Sequence, residues 1–129
     1  MNRKSEREQA FLIIFEKQLN NDDIEYIINN AIETGIYEEN DFSKKEILGT
    51  FSNLQTIDDT ISQNLKNWSI SRLSKVSLAV LRLAVYEIIF EKEIPNSVSI
   101  NEAVELAKKY GAEDDAKYVN GVLGSIVKQ

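Results

Sequence analysis

Apolar residues recur along this chain in steps of three and four, the spacing that lines up one face of an α-helix. Phe11, Ile14, Phe15 and Leu19 form the first such stripe and predict a helix from about residue 4 to residue 19, ended by Asn20-Asn21-Asp22-Asp23. Ile24, Ile27, Ile28, Ala31 and Ile32 repeat the pattern in a second helix, closed by Gly35. Residues 36–42 read as an acidic connection. Ser43 and Glu46 then have the spacing of a capping box, in which the hydroxyl accepts from an orphan N–H and the carboxylate reaches back. That predicts one long helix carrying Ile47, Phe51, Leu54, Ile61 and Leu65 and reaching Asn67 or Trp68. Asp58 falls on the same stripe, so burial is not expected along its whole length.

The second half begins differently. Residues 73–90 are apolar nearly all round, interrupted by Lys75, Ser77, Arg82 and Glu87. A helix apolar on every side is one surrounded by other helices, and those polar interruptions argue against a membrane span. Pro95 stops this element, and Ser99 with Glu102 form a second capping-box pattern. The helix it opens carries Ile100, Ala103, Val104, Ala107 and Tyr110 on one face, with Gly111 at its C-terminal cap. A last helix runs from about Asp114 to Val127, turning Val119, Val122, Leu123 and Ile126 inward. Asp114 and Asp115 suit its first turn, where the positive end of the helix dipole stabilises carboxylates. No segment alternates with period two. The fold class is therefore all-α, in a single domain of 129 residues.

Composition narrows the chemistry. Hydrophobic residues make up 43% and charged residues 28%, ordinary values for a globular chain long enough to bury a core without staples. Without cysteine there is no disulfide and no thiolate metal site, which fits a reducing, cytoplasmic setting. Without histidine the commonest general base and metal ligand are missing too. No glycine-rich phosphate loop and no metalloprotease or calcium-loop word is present. No enzyme, cofactor or metal site is expected. Residues 1–9 are charged, and the apolar run at 10–15 is too short for a signal peptide. Asp22, Asp23, Glu25, Glu38, Glu39 and Asp41 read as solvated loop charges. A net charge of −6 argues against non-specific coating of nucleic acid while leaving room for a local basic patch.

Three stretches of the second half carry a more specific message. Val80-Leu81-Arg82-Leu83-Ala84-Val85-Tyr86-Glu87 resembles the LRxAxYE signature of the NusB family. Ile94-Pro95 and the run from Val98 to Lys108 are similar to its IPxxVxINEAVELAK segment, and Tyr118-Val119-Asn120-Gly121-Val122-Leu123 to its FVNGVL close. The blocks follow in the family's order and spacing over roughly residues 72–124; residues before them match only loosely. The resemblance implies a seven-helix fold of two small helical halves, about residues 1–68 and 69–129, around the central apolar helix. It also implies boxA-type single-stranded RNA as ligand and, as partner, the small ribosomal protein that doubles as NusE. Family members act with the transcription elongation complex, in antitermination of ribosomal operons. A homodimeric free form stays open.

The same resemblance nominates residues. Arg3, Lys4 and Arg7 lie where the family carries an arginine-rich arm, whose cations would neutralise phosphates or stack on unpaired bases. Ser5 stands where relatives often have another arginine, and Glu6 and Glu8 dilute the charge. Asp114, Lys117 and Tyr118 match a second RNA contact region, where an aromatic ring beside a cation would stack a base and hold a phosphate. Tyr118 replaces the usual phenylalanine and keeps the stacking face. Arg7 and Tyr118 are both expected near the surface. Phe15, Ser77 and Arg82 match the partner-protein surface, with Ser77 where many relatives place an acid. Each has a plainer reading: a solvated terminus for the arm, a half-buried ring for Tyr118, core packing for Phe15 and an ion pair for Arg82. Asn101, Asn120 and Gly121 read as structural, the Asn-Gly pair permitting close helix approach. The alternative from another class is a helical protein–protein adaptor with the same fold and little RNA affinity.

Overall fold

The computed structural model describes residues 2–66 and 68–128, and these are helical with no strand. The helices are α1 (Arg3–Leu19), α2 (Ile24–Glu33), α3 (Asp41–Ser52), α4 (Leu54–Gln63), α5 (Lys75–Phe90), α6 (Asn96–Tyr110) and α7 (Glu113–Val127). A short 3-10 turn, Ile70–Arg72, leads into α5. The all-α class and the seven helices agree with the expectation. None of these helices is long and apolar enough to cross a membrane.

The segment that is apolar all round is the axis of the molecule. α5 packs against α1, α3, α4, α6 and α7, and Val80, Leu81 and Val85 on it are fully buried. α1 contributes Phe11 and Ile14, α3 Ile47, α4 Ile57 and Ile61, and α7 Val119 and Leu123 to the same core. The stripes hold in their middles and fail at their ends. Leu19 is 57% exposed and Ile32 also faces solvent, because the last turns of α1 and α2 extend past the helices that cover the rest. After α2, Gly35 adopts a left-handed φ of 79°. There the N–H groups of Ile36 and Tyr37 both donate to the Ala31 carbonyl, closing the helix end.

Two expectations about helix starts are corrected. Ser43 does not open α3: Asn40 does, its side chain accepting from the Ser43 N–H at 2.8 Å. Ser43 itself is buried and hydrogen-bonds the Tyr37 hydroxyl. Ser99 likewise lies a turn inside α6, which begins at Asn96 directly after Pro95. In both cases the hydroxyl was needed in the core, and an earlier residue with suitable backbone angles took the cap. The single long helix expected from residue 43 is also two helices. Asn53 turns its Nδ2 onto the Gly49 carbonyl at 2.8 Å and leaves helical backbone angles, so the chain breaks between α3 and α4. Asparagine competes for helical backbone groups in this way. α4 ends at Gln63, capped by Asn64, short of the expected end at Asn67 or Trp68: residues 64–66 and Trp68 are not helical, and Asn67 lies outside the described residues.

The core contains a polar knot. Arg7 on α1 is 5% exposed and donates twice to Glu87 on α5, Nε to Oε2 at 2.7 Å and Nη2 to Oε1 at 3.3 Å. Ser99 on α6 donates to the same carboxylate at 2.7 Å. Glu46 on α3 is buried beside them, its oxygens without a hydrogen-bond partner among the described residues. Burial first, and then the Glu87 carboxylate, push the Glu46 carboxyl up to about 10, so it is a neutral acid at pH 7. Next in sequence to Glu87, the Tyr86 ring packs directly against Gly49: a Cβ built there would come within 2.3 Å of Tyr86 Cε1. The Tyr86 hydroxyl donates to Glu91.

Two outcomes follow from this knot. Arg7→Ala strands a buried carboxylate and is expected to cost roughly 3–5 kcal/mol, a large share of a small domain's stability, read as a lowered melting temperature. Glu46 has a folded-state value above its ordinary 4.5, so its stabilising contribution is complete below about pH 4.5 and is lost as pH rises toward 10. Comparing melts of wild type and Glu46→Gln from pH 5 to pH 8, the difference should move steadily in the variant's favour. A difference that stays constant over that range would show that ionisation of Glu46 plays no part.

Candidate nucleic-acid interface

The nominated residues fall into three places. Arg3, Lys4 and Arg7 occupy the first two turns of α1, not a loose arm: Asn2 caps the helix by accepting from the Ser5 N–H at 2.9 Å. Each cation already has a carboxylate. Arg3 pairs with Glu6 at 3.2 Å, Lys4 with Glu102 of α6 at 3.3 Å, and Arg7 with Glu87. The guanidinium of Arg3 also lies 4.1 Å from the centre of the Phe42 ring, which holds it against α3. Arg3 and Lys4 remain exposed; the expected surface position of Arg7 is corrected, because its guanidinium belongs to the core knot.

Phe15 and Arg82 lie on the helices that meet at the start of α5. Phe15 is half-buried and stacks on Phe11 with ring centres 5.9 Å apart. Arg82 makes a bidentate pair with Asp58 at 2.9 and 2.8 Å and donates to Gln18 at 3.1 Å. Asp58 interrupts the apolar stripe of α4 because it meets this guanidinium. Ser77 is only 2% exposed, and its hydroxyl donates to Asp115 at 3.0 Å.

Asp115 connects this region to the third place. Its Oδ2 accepts from the Ala112 N–H at 2.8 Å, capping α7, while Oδ1 accepts from Ser74 and Ser77. The start of α7 is thereby clamped to the start of α5. Beside the clamp runs an open groove of about 940 Å³, walled by the end of α4, Trp68, the start of α5 and the outer face of α7. Asp114, Lys117 and Tyr118 line it together, with Ser77 at its base; none of the α1 cations does.

Three features of the groove escaped the sequence reading. Trp68 is 49% exposed and sits against Tyr118, ring centres 5.6 Å apart and planes tilted by 34°. Asn120 and Gly121 face this groove and not a neighbouring helix; a Cβ on Gly121 would meet nothing within 4 Å, so close helix approach is not its role. The third is charge. Arg3, Lys4 and Arg7 of α1, Lys44 and Lys45 of α3, Arg82 of α5 and Lys108 and Lys109 of α6 are in ion pairs, whereas Lys17, Lys75 and Lys92 lie elsewhere on the surface without a carboxylate partner among the described residues. Lys66, Arg72, Lys117 and Lys128 have no carboxylate partner among the described residues, and all are exposed. Lys66, Lys117 and Lys128 line the groove, and the Arg72 guanidinium lies 5.6 Å from the Trp68 ring. What distinguishes these cations is that they are unpaired and gathered at one groove, and only the arrangement in space shows it.

Tyr118 is half-buried, and its hydroxyl is covered without a hydrogen-bond partner among the described residues. Burial pushes the phenol above its ordinary value. Its ring, not its hydroxyl, is therefore the group offered to a ligand. Aromatic faces beside unpaired cations suit a polyanion with flat bases.

Comparison with known proteins agrees in fold and in sequence. The NusB family model matches residues 4–128. The transcription antitermination protein NusB of Clostridium botulinum (strain Alaska E43 / Type E3) is 44% identical, over the whole of both chains. The solved structure of T. maritima NusB is 40% identical with a TM-score of 0.88, covering 100% of this chain and 92% of that one. A structure of antitermination factors NusB and NusE in complex with dsRNA is 32% identical with a TM-score of 0.87, covering 98% and 96%. Matched by the family model over nearly its whole length and 44% identical to a full-length relative, this chain belongs to the NusB family.

Proposed function

We infer that the protein is a transcription antitermination factor. It binds boxA-type single-stranded RNA together with a small ribosomal protein of the NusE kind and promotes read-through by RNA polymerase in ribosomal RNA operons, acting in the cytoplasm. The observation that carries the reading is the groove at the start of α7, where unpaired cations and the Tyr118 ring meet on an otherwise acidic protein. Family membership supports it: relatives across the whole chain are antitermination proteins, and a close structural neighbour is a NusB–NusE–RNA complex. Lys117 would hold a phosphate and Tyr118 would stack a base, with Asp114 beside them at the helix start. Arg3 and Lys4 would add phosphate contacts by exchanging their carboxylate partners for RNA. Phe15, Arg82 and the Ser77 region would face the ribosomal partner. Ser77 would act there through the Asp115 clamp, because its own side chain is covered. The chain divides for this purpose into two helical halves, about 1–68 and 69–129, sharing α5.

The adaptor reading keeps one observation in its favour: Glu113, Asp114 and Asp115 crowd the α7 N-terminus, and the α1 cations are already paired. RNA affinity of the complex with the ribosomal partner, titrated at several salt concentrations, separates the two. Each phosphate contact on a single strand contributes about 0.7 to the slope of log affinity against log salt. Lys4→Ala and Lys117→Ala should each flatten the slope by about that amount. Tyr118→Ala should weaken binding at every salt concentration and leave the slope nearly unchanged. If none of the three weakens binding, the adaptor reading is the better one.

Tyr118→Phe is the complementary variant. It removes a covered hydroxyl that lacks a partner, so melting temperature should hold or rise by up to about 1 kcal/mol equivalent. RNA affinity should stay at the wild-type level, because the stacking face is kept.

A further inference from the structure

We propose that Trp68, flanked by Arg72, is a second base-stacking position next to Tyr118, so that the groove takes two neighbouring unpaired bases of single-stranded RNA. The proposal rests on the RNA-binding reading above and extends it to a residue outside the α7 motif. About half of the indole surface is open to solvent although its other side packs on Tyr118. A large aromatic ring left half in water is costly unless something covers it. The charge around it selects the occupant. Arg72 lies 5.6 Å from the ring, and Lys66, Lys117 and Lys128 surround the same groove without carboxylate partners among the described residues. Asp114 and Asp115 line the groove as well, but four cations against two carboxylates leave an excess of positive charge that repels a basic protein and attracts a phosphate backbone. The ring contact also sets the geometry: at 5.6 Å between centres, Trp68 and Tyr118 leave no slot between them for a base. Each ring therefore offers its outer face, and consecutive bases step from one to the other.

Trp68 is the only tryptophan of the chain, so its fluorescence reports this position directly. The experiment uses the chain bound to a tryptophan-free version of the ribosomal partner, titrated with a boxA-type single-stranded RNA oligonucleotide. Indole emission should be quenched with the same midpoint as binding measured by gel shift, and acrylamide access to Trp68 should fall. Trp68→Ala should weaken RNA about tenfold at all salt concentrations, a stacking-sized loss, whereas Trp68→Phe should stay within about threefold of wild type. The fluorescence arm uses the unmutated chain, so it decides the matter even if Trp68→Ala folds poorly. RNA bound at wild-type affinity with indole emission and access unchanged overturns the proposal and leaves the antitermination reading standing. Emission that changes on adding the partner protein alone, and no further with RNA, assigns Trp68 to the protein interface and also overturns it. Wild type that binds no RNA with the partner present overturns both.

Discussion

The pairing of Arg7 with Glu87 is the contact on which the arrangement of the helices depends. It reaches from the second turn of α1 to the last turns of α5, and Ser99 from α6 completes the carboxylate's hydrogen bonds. Glu46 brings α3 to the same point as a neutral acid. An ion pair removed from water gains little by itself, since desolvation opposes the Coulomb attraction. Its effect is on specificity. Any other docking of α1 on α5 would bury one of the two charges alone, and that alternative is the expensive one. The signature around Tyr86 and Glu87 is structural for the same reason. Glu87 receives α1 and α6, Tyr86 packs against Gly49 of α3, and Arg82 one turn earlier grips Asp58 of α4.

That knot redistributes the charge available at the surface. Of the three cations at the start of α1, Arg7 faces the core, and Arg3 and Lys4 are held by Glu6 and Glu102. A short basic run in the sequence is thus not a short basic patch in space. Four of the cations that lack a carboxylate partner among the described residues, Lys66, Arg72, Lys117 and Lys128, gather instead around the α7 groove from separate elements. On a chain with a net charge of −6, such a local concentration attracts a polyanion to one face while the rest of the surface repels it.

The groove is positioned by few contacts. Asp115 caps α7 and at the same time takes hydrogen bonds from Ser74 and Ser77 at the start of α5. Ser125 of α7 donates to Asn64 at the end of α4. These bonds set the walls on packed helices, so the backbone positions that carry Tyr118 and Lys117 are set before any ligand arrives, which lowers the ordering cost of binding. The serine at position 77 fits this clamp: its hydroxyl donates to a carboxylate that an acid in its place would repel.

The sequence alone determined the class, the central helix and the stripes of α1, α2, α6 and α7, because helix burial is written in three- and four-residue spacing and needs no knowledge of neighbours. Its motif words also identified the α7 residues that share the groove. Tertiary structure decided what depends on partners distant in the chain. Ser43 and Ser99 look like caps by local spacing and are core hydrogen-bonding groups. Asn53 divides a stripe that reads as continuous. Arg7 looks like a solvated cation, and Glu87, eighty positions away, turns it inward. Trp68 and Tyr118 are fifty residues apart and form one aromatic surface. A side chain's neighbours in sequence set its helical phase, but whether a charge meets water, a ligand or its counter-ion is set by which helices pack against it.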